Sequence, residues 1–256
     1  MISAGIDIGF ESINVVLLED NRIIRSGTVV IAGGVETAAN HAIEAVLHKA
    51  GIKRSGIHRL FATGVGREKV PFAHGHRTEM LAHACGAHWL FPEVRTVLDV
   101  GAEGSRFLRC DAEGNLTNFV MNDKCASGAG VFLETVAEML QIPLSQMGPV
   151  SLESSKEVVL TTTCAVFAES EIVAEIHRGS SKEDILWGVH ESITGRLALA
   201  SKRIGIEPEL AFTGGVALNI GVVKALEKQL GIPVRVPEDP QIVGALGAAI
   251  LATRTA

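Results

Sequence analysis

Two stretches of this chain carry the same signature. Ile6-Asp7-Ile8-Gly9 lies over Leu98-Asp99-Val100-Gly101 at a constant offset of 92 residues. The correspondence runs on through an acid in the following loop (Glu11 and Glu103), a second apolar stretch (Ile13 to Leu18 and Phe107 to Cys110) and a polar turn (Glu19-Asp20-Asn21 and Asp111-Ala112-Glu113-Gly114). Each copy reads as strand, Gly-containing turn, strand, turn, strand. A duplication of this kind predicts two similar lobes.

The segments between and after the copies fill out the lobes. Thr37 to Ala50 has apolar positions at Ala38, Ala42, Ala45 and Val46 and a stop at Gly51, which predicts a helix. Arg59 to Thr63 reads as a strand and Thr78 to Leu90 as a second helix. After the second copy, Gly128 to Leu140 and Ala165 to His177 read as helices around a β-rich run, Val158 to Thr163. The chain closes with a strand at Leu210 to Thr213, a helix at Val216 to Leu230, a strand at Val234 to Val236 and an Ala/Gly-rich helix at Gln241 to Ala252. Helices alternating with strands after each hairpin predict an α/β protein.

Composition narrows the function classes. With 256 residues, 47% of them hydrophobic and 20% charged, the chain has ample material for a core, which excludes disorder as its main state. The net charge is −6 and no basic run with interleaved aromatics occurs, which argues against nucleic acid as a partner. An anionic ligand would therefore be held by backbone N–H groups, helix N-termini or a metal ion. The N-terminus lacks a basic segment followed by an apolar one, and the longest apolar stretch, Ile242 to Ala252, is too short to span a bilayer. The expectation is a cytoplasmic protein with no membrane partner.

Asp7-Ile8-Gly9 and Asp99-Val100-Gly101 each place a carboxylate at a strand end beside a turn whose backbone can approach a ligand. One such motif is an ordinary hairpin turn. Two at matched positions point to a Mg²⁺–nucleotide phosphate chain, because Mg²⁺ takes one or two carboxylates together with phosphate oxygens. Phe212-Thr213-Gly214-Gly215-Val216-Ala217-Leu218-Asn219 sits where a strand passes into a helix, and the missing side chains would let a ring or phosphate lie against the backbone. Of the four cysteines, Cys125 and Cys164 each stand just before a helical stretch, a setting that favours the thiolate. Cys85 and Cys110 read as core or partly exposed thiols, and His74-Gly75-His76 as a solvated loop without metal-ligand spacing.

The duplicated DxG hairpins and the late Thr-Gly-Gly turn resemble the actin-like ATPase superfamily. Four strings sharpen the likeness: Asn122-Asp123-Lys124-Cys125-Ala126-Ser127-Gly128-Ala129-Gly130, Thr163-Cys164-Ala165-Val166-Phe167-Ala168-Glu169-Ser170-Glu171, Ala62-Thr63-Gly64-Val65-Gly66-Arg67, and Phe212 to Asn219. With them the chain resembles, over nearly its whole length, the ATPase activators of 2-hydroxyacyl-CoA dehydratases and the ATPase subunits of benzoyl-CoA reductase. The resemblance implies actin/Hsp70/sugar-kinase-like, ribonuclease H-like lobes: residues 1–90 completed by 239–256, and 91–238 carrying the cysteines. ATP or ADP would lie between the lobes, with Asp7 and Asp99 as catalytic groups near Mg²⁺. The nucleotide would meet Gly9, Phe10, Glu11, Ser12, Gly101, Ala102, Glu103 and Gln241, with Gly214 and Gly215 near the adenosine. It further implies one [4Fe–4S] cluster per homodimer, ligated by Cys125 and Cys164 of each subunit, a ferredoxin or flavodoxin as electron donor and an iron–sulfur enzyme as acceptor.

The chain departs from the family pattern at both phosphate loops. Small hydroxyl residues usually follow the first Gly, where this chain has Phe10-Glu11-Ser12. The usual Asp-Ile-Gly-Gly-Gln-Asp is here Asp99-Val100-Gly101-Ala102-Glu103-Gly104. A Glu there repels phosphate oxygens unless Mg²⁺ intervenes or the carboxylate faces the attacking water. Glu103 is accordingly expected to orient or deprotonate that water, and Glu11 to border the metal's hydration shell. Two alternatives stay open: a small-molecule kinase of the same superfamily, for which no insertion supplies an acceptor-binding lobe, and a nucleotide-binding regulatory subunit without electron transfer.

Overall fold

The computed structural model describes residues 1–122, 130–160 and 165–254. Its strands form two five-stranded sheets. The first contains β1 (Ile2–Ile8), β2 (Ser12–Glu19), β3 (Arg22–Val30), β4 (Ile57–Thr63) and β5 (Gly75–His76) in the order β3-β2-β1-β4-β5. The second contains β6 (Thr96–Val100), β7 (Ser105–Cys110), β8 (Leu116–Asn122), β9 (Leu210–Thr213) and β10 (Val234–Arg235) in the order β10-β9-β6-β7-β8. The two orders are the same once each copy is counted from its own first strand, as the duplication predicts. β1 runs antiparallel to β2 and parallel to β4, and β9 runs parallel to β10. The fold is α/β.

One compact unit comprises Met1–Val97, Leu108–Phe119 and Pro237–Ala256. Strand alternation builds its core. In β2, Ile13, Val15 and Leu17 face a cluster shared with Ala4, Ile6 and Ile8 of β1 and with Ala39, Ala42 and Ile43 of α1 (Val35–Ala50). Val16 and Leu18 face the other way, against Cys85 of α2 (Glu79–Leu90) and Ala245, Leu246, Ala249 and Ile250 of α8 (Val243–Arg254). Both faces are covered, so β2 reads as a near-continuous apolar run, whereas β1 alternates Ile2, Ala4, Ile6 and Ile8 with Ser3, Gly5 and Asp7. Small residues let α8 come close: a Cβ at Gly5 would collide with the Ala245 carbonyl, one at Gly86 with the Val243 carbonyl, and one at Gly247 with the Ala82 carbonyl. The Ala/Gly content of α8 thus serves backbone-to-backbone packing.

The other unit comprises Leu98–Phe107 and Val120–Val236. Its core gathers Leu98 and Val100 of β6, Phe107 of β7, Phe212 of β9 and apolar residues of α3 (Gly130–Leu140), α4 (Leu144–Ser151), α6 (Lys182–Ser201) and α7 (Ile220–Leu230). α5 (Ala165–His177) adds Ala168 and Ile172.

Several elements differ from the sequence reading. α4 and α6 were not anticipated, although α6 opens on a cap: the Ser181 hydroxyl accepts from the Asp184 N–H at 3.2 Å. The single helix expected over Val216 to Leu230 is broken into a 3₁₀ turn, Gly215–Leu218, and α7. Asn219 breaks it, because its Oδ1 accepts from Gly221 N at 3.0 Å and Val222 N at 3.3 Å and so caps α7. In the run expected to be β-rich, residues 158–160 are not strand, and Thr161 to Thr163 lie outside the described residues. His74-Gly75-His76 is not a solvated loop: Gly75–His76 pair with Phe61 and Ala62 of β4, and His74 Nδ1 accepts from Leu60 N at 3.0 Å.

Candidate functional site

Each unit holds a buried carboxylate at the end of a central strand. Asp7 is 7% exposed and faces Thr63 of β4 on one side and Asn14 of β2 on the other. His83 Nε2 of α2 lies 3.8 Å from its Oδ2. Asp99 is 3% exposed; the Arg106 guanidinium donates to its Oδ2 at 2.8 Å and Thr213 Oγ1 reaches its Oδ1 at 3.4 Å.

A glycine in left-handed conformation packs against each carboxylate. Gly64 has φ +88°, and a Cβ there would strike the Ile8 carbonyl and Asp7 Oδ1. Gly214 has φ +87°, and a Cβ there would strike the Val100 carbonyl and Asp99 Oδ1. Thr63-Gly64 is therefore the counterpart of Thr213-Gly214, one at the end of β4 and the other at the end of β9. Sequence reasoning quoted Thr63-Gly64 without seeing this, since the pair does not keep the offset of 92. The available signal was a strand ending in Thr-Gly in both copies.

The phosphate-loop candidates form matched turns. Gly9 N donates to Ser12 O, and Gly101 N to Gly104 O, both at 2.9 Å. Phe10 stands 56% exposed at the tip of the first turn, and Glu103 is exposed in the second. Gly101 and Ala102 also receive the first N–H groups of α3: Gly130 N donates to Gly101 O at 2.8 Å and Val131 N to Ala102 O at 3.0 Å. The turn after Asp99 and residues Gly130–Val131 of α3 are thus tied together. Gln241 lies apart from these turns along the chain, in the 3₁₀ segment Pro240–Ile242 that leads into α8.

Behind the Gly214-Gly215 loop lies a buried polar chain that sequence reasoning missed. Because Asn219 Oδ1 is committed to two backbone N–H groups, its Nδ2 is the donor to His190 Nε2, at 3.2 Å. His190 Nδ1 then carries the proton and donates to Ser151 Oγ at 3.1 Å, and Ser151 Oγ donates to Gly148 O at 2.7 Å. Burial pushes the His190 pKa down to about 3, so the ring is neutral. Further along α6, Asp184 accepts from Ser154 Oγ at 2.9 Å and from Ser155 N and Lys156 N at 2.8 Å, bonds that hold its carboxyl below the usual range. Gly188 lets the backbone at Val158 lie against α6.

A model of the BadF/BadG/BcrA/BcrD ATPase family matches residues 4–252. The chain belongs to this family. The (R)-2-hydroxyglutaryl-CoA dehydratase activating ATPase of Acidaminococcus fermentans is 36% identical over 98% of this chain and 97% of its own length. The structure of the activator of the 2-hydroxyisocaproyl-CoA dehydratase from Clostridium difficile, with bound ADPNP, has a TM-score of 0.94 and 37% identity, covering 98% of this chain and 94% of that one. A ROK hexokinase from Thermus thermophilus, 17% identical with a TM-score of 0.54 and covering 99% of both chains, shares the fold alone.

Within each unit a glycine-closed turn follows a buried carboxylate, and a glycine with no room for a side chain packs on that carboxylate, so that backbone N–H groups are available to an anion such as a phosphate. Among the described residues, no group of three or more His, Cys, Asp or Glu could hold a metal ion unaided. Cys125, with residues 123–129, and Cys164, with 161–164, lie outside the described residues. Cys85 and Cys110 are buried, and burial raises both thiol pKa values. None of the described helices is long and apolar enough to cross a membrane.

Proposed function

We propose that this protein is an ATP-dependent electron-transfer activator, working as a homodimer that holds one [4Fe–4S] cluster through Cys125 and Cys164 of each subunit. Two thiolates per chain fall short of the four such a cluster takes, and a two-fold axis supplies the other two. When bound, the cluster supplies one-electron chemistry: an electron received from a ferredoxin or flavodoxin and passed to an iron–sulfur enzyme such as a 2-hydroxyacyl-CoA dehydratase, a benzoyl-CoA reductase or a double-cubane cluster protein.

The observation that supports this coupling most directly is the pair of hydrogen bonds from Gly130 N and Val131 N to the carbonyls of Gly101 and Ala102. Cys125 precedes Gly130 by five positions in the sequence. Under that proposal a nucleotide-dependent change in the phosphate-loop turn is passed through these two bonds to α3. In this reading the N–H groups of the 9–12 and 101–104 turns meet phosphate oxygens. Glu103 orients the water that attacks the γ-phosphorus, with ADP as leaving group and inorganic phosphate as product. Glu11 borders the hydration shell of Mg²⁺. Gly214 and Gly215 meet the adenosine, and Gln241 lines the nucleotide from the start of α8.

Anaerobic purification tests the reading. The expected protein is brown, a dimer with about four irons, and transfers electrons to an iron–sulfur acceptor only when ATP is present. A colourless, iron-free protein that still binds ATP overturns the electron-transfer role and leaves a regulatory subunit or a kinase.

A further inference from the structure

The turn that follows β9 is held at both ends, and its far end is held by residues distant in sequence. At its start Gly214 packs on the Val100 carbonyl and Asp99 Oδ1. At its end Asn219 caps α7 through Oδ1 and donates through Nδ2 to His190 Nε2 at 3.2 Å. His190 and Ser151 are fully buried, and the donors run in one direction: Asn219 to His190, His190 to Ser151, and Ser151 to the Gly148 carbonyl. Between the two anchors Val216 and Ala217 are buried, while Gly215 and Leu218 are exposed. A glycine backbone beside an exposed apolar side chain suits a flat ring.

Two helices make room for this polar chain. A Cβ at Gly221 of α7 would strike Ser151 Oγ and His190 Nδ1, and one at Gly148 of α4 would strike Asn219 Oδ1. Glycine inside a helix is unfavourable, and an apolar contact among α4, α6 and α7 would need neither these glycines nor a buried imidazole. A fully satisfied polar chain instead specifies a geometry that apolar packing leaves loose. The element it specifies is the turn, because Asn219 closes it, with its N–H on Val216 O at 3.0 Å. All of these residues belong to one unit. We infer that His190 is a positioning residue for the nucleotide: through Asn219 it holds the Gly214–Leu218 turn in the shape that receives the adenosine, so that binding need not order it. This deepens the proposed function and rests on its placing of Gly214 and Gly215 at the adenosine.

The test pairs ADP affinity with amide exchange at Ala217, whose N–H donates to Gly214 O at 3.2 Å. Both are measured on folded protein well below the unfolding transition, where a merely structural role leaves ADP affinity unmoved. Asn219→Ser keeps a capping oxygen on α7 and deletes the donor to His190. His190→Leu deletes the acceptor at a position too buried for a nucleotide to touch. In each, a turn ordered about a tenth of the time raises the ADP Kd about tenfold, and Ala217 should exchange faster ahead of the amides of β6. His190→Gln retains an acceptor for Asn219 and, though less stable, is expected to bind ADP within about threefold of native. Native ADP affinity in Asn219→Ser and His190→Leu overturns the positioning role, and so does a loss in His190→Gln as large as that in His190→Leu. Unchanged exchange at Ala217 overturns the tether. Should His190→Leu not fold, Asn219→Ser carries the test. A native protein that binds no ADP overturns the nucleotide site itself, a separate result, and exchange at Ala217 then decides alone whether His190 holds the turn.

Discussion

Gly64 and Gly214 share one left-handed backbone conformation, φ +88° and +87°, each pressed against the carboxylate of its own unit. An alanine at either place incurs about 1–2 kcal/mol of conformational strain and adds a collision with a strand carbonyl. Gly214→Ala and Gly64→Ala are each expected to lower the thermal midpoint by about 4–8 °C. ADP should then stabilise the variants less than it stabilises the native protein. Thermal scans with and without ADP check both statements.

Burial gives His190 a pH signature. Its pKa falls from the ordinary 6.5 to about 3 on folding, so the unfolded chain binds the extra proton first. The stability this neutral ring confers is complete above pH 6.5 and declines as the pH falls toward 3, by about 1.4 kcal/mol per pH unit. His190→Gln is expected to be about 1–3 kcal/mol less stable at pH 7. The gap between native and variant should narrow as the solution is acidified. Urea unfolding at pH 7, 6 and 5 measures it.

Glu103 stands exposed in the turn after Asp99. If it positions the attacking water, Glu103→Gln should slow ATP hydrolysis by about 10²–10⁴-fold while ADP affinity holds or improves, since a repelling charge is gone. A hydrolysis rate equal to native removes Glu103 from the chemistry.

The four cysteines should separate into two classes. Cys125→Ala or Cys164→Ala is expected to abolish iron binding and the brown colour. Cys85→Ala, at a buried thiol whose pKa is raised, is expected to keep both and lose about 1–2 kcal/mol of stability. Iron content and thermal midpoints distinguish the classes, and an iron-loaded Cys164→Ala refutes the ligand assignment.

Asp184 pins the segment 154–156 through Ser154 Oγ, Ser155 N and Lys156 N. Asp184→Ala frees those donors, and amide exchange at Ser155 and Lys156 should accelerate ahead of the rest of the unit. Its carboxyl titrates below the usual range in the fold, so this anchoring is present above the ordinary value of 3.8 and weakens as the pH falls below it.

The duplication, both sheets and the two DxG carboxylates were legible because each is local: alternating apolar residues, a turn, and a motif repeated at one offset. What remained hidden depends on contacts distant in sequence. Thr63-Gly64 pairs with the first carboxylate only once β4 lies beside β1. Asn219 reads as a helix residue until its side chain is seen to cap α7. α6 escaped notice because it buries Asp184, His190, Thr194 and Ser201 among its apolar residues, which erases the one-sided pattern a helix search relies on. Arg106 looked like any strand residue, since its charge acquires meaning only against Asp99.

The close packing of α8 on Gly5, Gly86 and Ala82 has a consequence for folding. Val16 and Leu18 of β2 are covered by a helix, Val243–Arg254, that stands far along the chain from them. Any folding intermediate in which α8 has yet to dock leaves those side chains and the glycine track beneath it open to contact with other molecules.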